Sequence, residues 1–396
     1  MYLFVLGRQP EIGLAELNAV FGNTGSILPH TALVKSDETP NINRLGGTRK
    51  IGRVIYDNDG KPGDFLNDKL SKLPAGKITL GISHYGKSAS ATNARKTGVI
   101  LKKRLNRSVR VLPNSASEIS DAASLGNKLG TTPNKIELMM VYIGHRLIIA
   151  ELIGVQDLNS YTLRDRGRPR RDARVGMLPP KLAQIMINLA IGANATGATN
   201  HPTIQPSNQL TILDPFCGTG VVLQEAILMG YSVYGTDIDS RMVAYSKANL
   251  EWLLRQKNLV TNHLTIKPSN YITAVADATA HKWTSPIDCV VSETYLGQPY
   301  SAEPPIDKLR ENMNTCNLII EKFLSNIATQ LKTGTPLCLA VPVWFVANKT
   351  YHLPVIKKLN ELGFDLKLTP SNSRLVYRRD DQIVGRELLV LKRKTF

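Results

Sequence analysis

The chain has 396 residues, 42% hydrophobic and 20% charged, enough length for two or three domains and a balance that excludes a disordered tail protein. Lys and Arg outnumber Asp and Glu 49 to 32, a net charge of +17 that argues against an ordinary metabolic enzyme. It favours a polyanionic partner, either nucleic acid or an anionic membrane surface.

In chain order, Met1–Leu6 is an apolar run predicting a buried strand; it stops at Gly7 with no basic flank, too short for a signal peptide. Leu14, Leu17 and Phe21 recur at helical spacing, with Gly22 as a stop. Asp57–Gly63 is a turn cluster, after which Ile78, Leu80 and Ile82 alternate as in a half-buried strand. A helix is predicted over Asn93–Leu105 with an apolar face of Ala94, Gly98, Leu101 and Leu105. Arg95, Lys96, Lys102, Lys103 and Arg104 crowd its other sides with few acids nearby, a pattern suited to phosphate contacts. A strand at Val109–Val111, a helix over Ser117–Leu129 and a hairpin turning at Gly144-His145 follow. Arg164, Arg166, Arg168, Arg170, Arg171 and Arg174 then cluster around Gly167 and Pro169, with only Asp165 and Asp172 opposing them, as a flexible linker or a segment that meets a polyanion would. Lys181–Ile191 reads as a helix; the apolar stretch through Ala198 is too broken to span a membrane, and 196–207 is a polar loop.

The most informative stretch comes next. A short strand, Leu210–Leu213, leads into Asp214-Pro215-Phe216-Cys217-Gly218-Thr219-Gly220, a helix over Val221–Met229, and a strand ending near Asp237 and Asp239. This is half of a nucleotide-binding α/β sheet, its glycines allowing a sharp turn close to a ligand. A carboxylate at Asp214 would repel a pyrophosphate at the helix N-terminus but suits the ammonium of S-adenosylmethionine, and Asp237 can accept from both ribose hydroxyls. No Walker Gly-Lys-Ser/Thr ending is present. Cys217 is expected as a small packing residue rather than a nucleophile. The four cysteines lack Cys-x-x-Cys spacing, so no zinc site is expected and cytoplasmic usage is. Beyond, strand and helix alternate. Asp277 ends one strand and could accept from an adenine amine or merely cap a helix. Another strand runs into Ser292, a helix is predicted over Leu318–Leu331, and the chain closes on an antiparallel hairpin.

These stretches together resemble the THUMP-domain tRNA guanine-N2-methyltransferases: Met1–Arg8 with Leu14–Leu17, Arg164-Asp165 with Arg168-Pro169, Leu178–Ala183 with Asn188-Leu189, Asp214–Gly220, and Gly235–Asp239. The resemblance implies an α/β protein with an N-terminal α+β RNA-binding half and a C-terminal Rossmann-like doubly wound methyltransferase domain. The implied domains are a ferredoxin-like element at 1–70, a THUMP-like domain at 71–160, a basic linker and helix at 161–200 and a class I catalytic domain at 201–396. S-adenosylmethionine is the implied methyl donor and tRNA the partner, with any protein partner left open and no membrane involved. The donor would be held by Asp214, Phe216, Gly218, Gly220, Asp237, Ile238 and Asp277. RNA would be met by Arg95, Lys96, Lys102, Lys103, Arg104, Arg164 and Arg168.

The family's Asp-Pro-Pro-Tyr pattern is replaced here by Ser292-Glu293-Thr294-Tyr295-Leu296-Gly297. Aligning on Gly297 puts Glu293 in the Asp position; aligning on the four-residue frame puts Ser292 and Tyr295 at its ends. Ser292 or Glu293 is thus the expected acceptor from the amine and Tyr295 the stacking platform. The altered loop keeps open a non-catalytic tRNA-binding protein; a DNA amino-methyltransferase is the third reading.

Overall fold

The structure, a computed structural model, describes residues 1–22, 24–28, 30–60, 62–87, 89–172, 177–192, 210–256, 271–284, 286–367 and 373–395. Arg174 and the polar loop at 196–207 lie outside the described residues. The chain divides into two units, Met1–Leu158 and Asn159–Phe396.

In the first unit the opening apolar run is a strand buried at every position, β1 (Tyr2–Leu6). A helix, α1 (Pro10–Phe21), follows and stops at Gly22, whose positive φ of +77° is backbone that glycine adopts without a Cβ penalty and whose N–H closes the last turn on Asn18 O. Then come β2 (Gly25–Leu28), β3 (Thr31–Val34), β4 (Thr48–Asn58), α2 (Gly63–Ser71), β5 (Ile78–Tyr85), α3 (Ala91–Arg104), β6 (Val109–Val111), α4 (Asp121–Gly126), β7 (Lys135–Ile143) and β8 (Arg146–Val155). Their strands form one sheet in the order β2-β3-β1-β4-β8-β7-β5-β6, parallel only where β5 meets β6 and β7. The hairpin at Gly144-His145 is β7–β8.

Helix α3 starts at Ser90, whose side chain accepts from the Asn93 N–H at 3.1 Å, and buries Ala94, Gly98 and Leu101. A Cβ on Gly98 would lie 2.5 Å from Val111, so glycine here permits the helix to sit close on the sheet. The helix predicted over Ser117–Leu129 shrinks to Asp121–Gly126, because the Ile119 N–H is bound to Ser83 Oγ (2.9 Å) and Ser120 acts as the cap.

Lys50 on β4 is fully buried against Glu137 on β7 at 2.6 Å. Its ammonium also donates to Ile119 O (2.6 Å) and Ser124 Oγ (3.1 Å), while Ser83 and Ser124 donate to the Glu137 carboxylate. Every charge in this cluster is paired, as burial requires.

The second unit contains α5 (Leu158–Arg166, its first residue the last of the preceding unit), α6 (Pro180–Gly192), β9 (Thr211–Asp214), α7 (Val221–Leu228), β10 (Ser232–Asp237), α8 (Ser240–Arg255), β11 (Tyr271–Val275), β12 (Cys289–Glu293), α9 (Ile306–Ala328), β13 (Pro336–Val346), β14 (Lys349–Tyr351), β15 (Phe364–Leu366), β16 (Leu375–Tyr377) and β17 (Val384–Arg393). The main sheet order is β11-β10-β9-β12-β13-β17-β15, with β14 on β13 and β16 on β17. Strands β9 to β13 run parallel and β17 antiparallel, the doubly wound arrangement with an antiparallel end. The chain leaves β9 toward β10 and β11, then returns to β12 on the other side, so β9 and β12 flank the topological switch point. Helix α9 begins at Ile306, well before the predicted Leu318, and buries Leu309, Asn312, Cys316, Ile320 and Phe323 along one stripe. Among the described residues no helix is long and apolar enough to cross a membrane.

Candidate active site

A cavity of about 940 Å³ opens at the carboxyl ends of these strands, at the switch point. Its first side is the turn after β9. Gly218 (φ +50°) and Gly220 (φ +82°) both take left-handed backbone. A Cβ on Gly220 would stand 2.8 Å from Ser246 Oγ on α8, whereas one on Gly218 would meet nothing, leaving that face clear for a ligand. Asp237, at the end of β10, accepts the Gly218 N–H (2.9 Å) and the Asp239 N–H (3.0 Å), one on each carboxylate oxygen. A lone pair remains on each oxygen for vicinal hydroxyls. Ile238 beside it lines the cavity while 70% exposed, an apolar surface of the sort that covers a heteroaromatic ring. Asp277, past β11, accepts from the Thr279 N–H (2.9 Å) and hydroxyl (2.8 Å), and these bonds hold its carboxyl below the usual range. Phe216 lines the same wall, edge-on to Phe323.

Asp214 is buried at the floor. Desolvation pushes its carboxyl up to about 7, against the Ser292 hydroxyl (2.6 Å) and Phe216 N–H (3.3 Å), which favour the ion. Cys217 is buried, its thiol raised well above the ordinary value chiefly by desolvation, and it packs at Gly235 between sheet and α7. It is no nucleophile. Three carboxylates, an apolar ledge and an open glycine turn are a donor set that fits a nucleoside carrying a cationic amino-acid tail.

The opposite side is the segment after β12. Ser292 is fully buried and does not line the cavity; its hydroxyl is committed to Asp214, which removes it as the direct acceptor expected from the sequence. Glu293 and Tyr295 do line it. Burial raises the Glu293 carboxyl, opposed by the guanidinium of Arg386 on β17, which donates Nε–H to it. The Tyr295 ring packs on the core beneath, and Gln298 reaches its hydroxyl at 3.4 Å. Gly297 (φ +84°) turns the loop where a Cβ would collide with Asn312 at 2.3 Å. Asn312 on α9 accepts the Gln298 N–H (3.1 Å) and donates to Tyr300 (2.9 Å), so a helix side chain holds the turn that paired prolines would otherwise fix.

Of the residues expected to meet RNA, Arg95, Lys96, Lys102, Lys103 and Arg104 are all exposed on α3, Arg104 within 3.4 Å of Asp64. Arg164 and Arg168 require correction. Arg164 is buried against Glu225 at 2.7 Å, and Arg168 is buried with its guanidinium lowered to about 10 by desolvation, so neither presents a charge to a phosphate. Among the described residues of that segment, the exposed arginines are Arg166, Arg170 and Arg171. Arg386 and Asn312 were not anticipated. An Arg-Glu pair inside the apolar run of β17 was the available signal for the first; Asn312, in a polar stretch, gave none.

No protein-family model matches the chain. It is 35% identical over 256 residues to the tRNA (guanine(10)-N2)-dimethyltransferase of Pyrococcus abyssi, covering 63% of this chain and 67% of that protein. It is 27% identical over 323 residues to the enzyme of the same name from Methanocaldococcus jannaschii, 78% of this chain and 85% of that one. In solved structures, TrmN from Thermus thermophilus matches 99% of both chains at a TM-score of 0.50 and 16% identity, a likeness of fold: an α/β protein with two sheets, one resembling a class I, Rossmann-like core. On the extent and level of identity to the Pyrococcus abyssi enzyme, the chain belongs to the THUMP-domain tRNA guanine-N2-methyltransferase family.

Proposed function

We propose that this protein methylates the exocyclic N2 amine of a guanine in tRNA, with S-adenosylmethionine as donor, and that the guanine and the double methylation named for its relatives, position 10 and N2,N2, carry over to it. The observation that carries the reading is one cavity shared by a donor-type turn, Asp214 to Asp237, and an acceptor-type loop, Glu293 to Gln298. Gly218, Gly220 and Phe216 would shape the donor's seat, Asp237 its ribose contacts, Ile238 and Asp277 its adenine contacts, and Asp214 its ammonium. When bound, S-adenosylmethionine supplies an electrophilic methyl group. The protein's task is the nucleophile. A guanine N2 lone pair is delocalised into the ring, and a carboxylate accepting an N–H from it favours the pyramidal, reactive nitrogen. Glu293 fills that role, with Tyr295 as the face that holds the extruded base.

We assign 1–70 as a ferredoxin-like element, 71–160 as a THUMP-like domain that binds the tRNA through α3, 161–200 as linker and helix, and 201–396 as the catalytic domain. Four unpaired, buried cysteines support action in the reducing cytoplasm. Nucleoside mass spectrometry on unmodified tRNA incubated with a deuterated-methyl donor tests the reading. Labelled N2-methylguanosine is expected; label on another nucleoside sinks the guanine assignment, and no label despite binding of both substrates points to a non-catalytic protein.

Two further outcomes are expected. Reversing Arg95, Lys102 and Lys103 to Glu should weaken tRNA binding and flatten its salt dependence by about two to three in the slope of log affinity against log salt. An unchanged slope removes α3 from the interface. Second, Asp214 is largely neutral below its value of about 7 and ionised above it. Only the anion attracts an ammonium, so affinity for S-adenosylhomocysteine should rise about eightfold from about pH 6 to about pH 7.5, as the ionised fraction of a carboxyl at about 7 climbs. Calorimetric titration of Asp214→Asn should give a flat profile; a slope equal to that of the unaltered protein assigns the titration elsewhere.

A further inference from the structure

Glu293 and Arg386 sit two strands apart, opposite Ala340 and Pro342 of the intervening β13, and meet at the cavity wall, where Arg386 Nε donates to Glu293 Oε1. Among the described residues, neither terminal nitrogen of Arg386 nor the second oxygen of Glu293 has a hydrogen-bond partner, and none of these atoms is among the buried ones left unsatisfied. They therefore face the open cavity. The wall thus presents, side by side, one strong acceptor and a fork of donors.

We propose that Glu293 and Arg386 act together as a guanine reader, Glu293 accepting from the N1–H and N2–H edge and Arg386 donating to O6. This rests on the guanine assignment above and adds the basis of base choice. Guanine's pairing edge runs donor, donor, acceptor, the complement of carboxylate followed by guanidinium. Adenine sets a bare N1 against the carboxylate and an N–H against the guanidinium, leaving the second oxygen of Glu293 and the terminal nitrogens of Arg386 without partners in the occupied site. Arg386 also opposes the burial that raises the Glu293 carboxyl, favouring its ionised, accepting form. The pair thereby links selection of the base to activation of the atom that reacts.

The test uses full-length protein, a deuterated-methyl donor, and tRNAs carrying at the target position either guanine or 2-aminopurine. The latter keeps the 2-amine but has an acceptor at N1 and no O6. The unaltered protein should prefer guanine by about a hundredfold or more. Arg386→Met should slow methylation of both bases, since Glu293 loses its counter-charge, but guanine at least about tenfold more than 2-aminopurine, narrowing the preference to within about tenfold; Arg386→Lys should restore part of it. Retained affinity for S-adenosylhomocysteine shows that the variants are folded. A preference that stays unchanged while both rates fall overturns the proposal and leaves Arg386 a structural partner, as does loss of donor affinity in both variants. Absence of N2 methylation of guanine by the unaltered protein would instead refute the function on which it rests.

Discussion

Asp237→Ala should reduce affinity for S-adenosylmethionine by about a hundredfold or more while leaving tRNA affinity unchanged. The size follows from charge-assisted hydrogen bonds, each contributing about 1.5–3 kcal/mol, where one carboxylate would take both ribose hydroxyls. The same carboxylate organises its surroundings: it holds the Gly218 N–H at 2.9 Å and the Asp239 N–H at 3.0 Å, so its removal also loosens the glycine turn over which the donor would lie. Asp237→Asn separates these contributions. A side-chain amide has one oxygen where the carboxylate has two, so it can keep the Gly218 or the Asp239 contact and one ribose bond, and affinity should fall to an intermediate value. The exposed basic residues of α3 are untouched by either change, hence the constant tRNA affinity. Calorimetric titration with donor and a separate filter-binding series with tRNA measure both. Undiminished donor affinity in Asp237→Ala would remove the ribose role, whatever the protein's activity.

The donor side of this site was legible in the sequence because its elements are consecutive. A strand, a glycine turn, a helix and a second strand bring Asp214, Gly218, Gly220 and Asp237 together within one local unit, and the residue types follow from the backbone path. The acceptor side was less so. Ser292 and Glu293 are adjacent, yet alternation along β12 sends one down to Asp214 and the other to the cavity wall, a distinction that depends on register against β9 and β13. Arg386 reaches Glu293 from 93 positions away, and Asn312 replaces a proline turn from a helix whose start is masked by its polar residues. Arg164 shows the converse error. Its arginine-rich neighbourhood signalled a polyanion, whereas the fold pairs it with Glu225 beneath the surface. Local composition carries charge but not burial, and burial decided what these arginines do.

Lys50→Met should destabilise the first unit by about 3–5 kcal/mol, the cost of leaving one member of a buried ion pair alone. The side chains of Lys50 and Glu137 are both wholly shielded from solvent. Without the ammonium, Glu137 keeps only the Ser83 and Ser124 hydroxyls, and Ile119 O loses its donor. That cluster ties β4 to β5, β7 and the start of α4, where it is also the reason that the helix begins late. The double variant Lys50→Met, Glu137→Leu should recover part of the loss, since no lone charge remains, but not all of it, because Ser83 and Ser124 lose their acceptor. Hydrogen exchange read by mass spectrometry localises the effect: amides of β4, β5 and β7 should lose protection while those around Asp237 keep theirs. Unaltered protection in those three strands would mean that the pair contributes no net stability. Its place would then rest on specifying how β4 and β7 face one another across β8, a role that buried ions fill in some folds at no gain in stability.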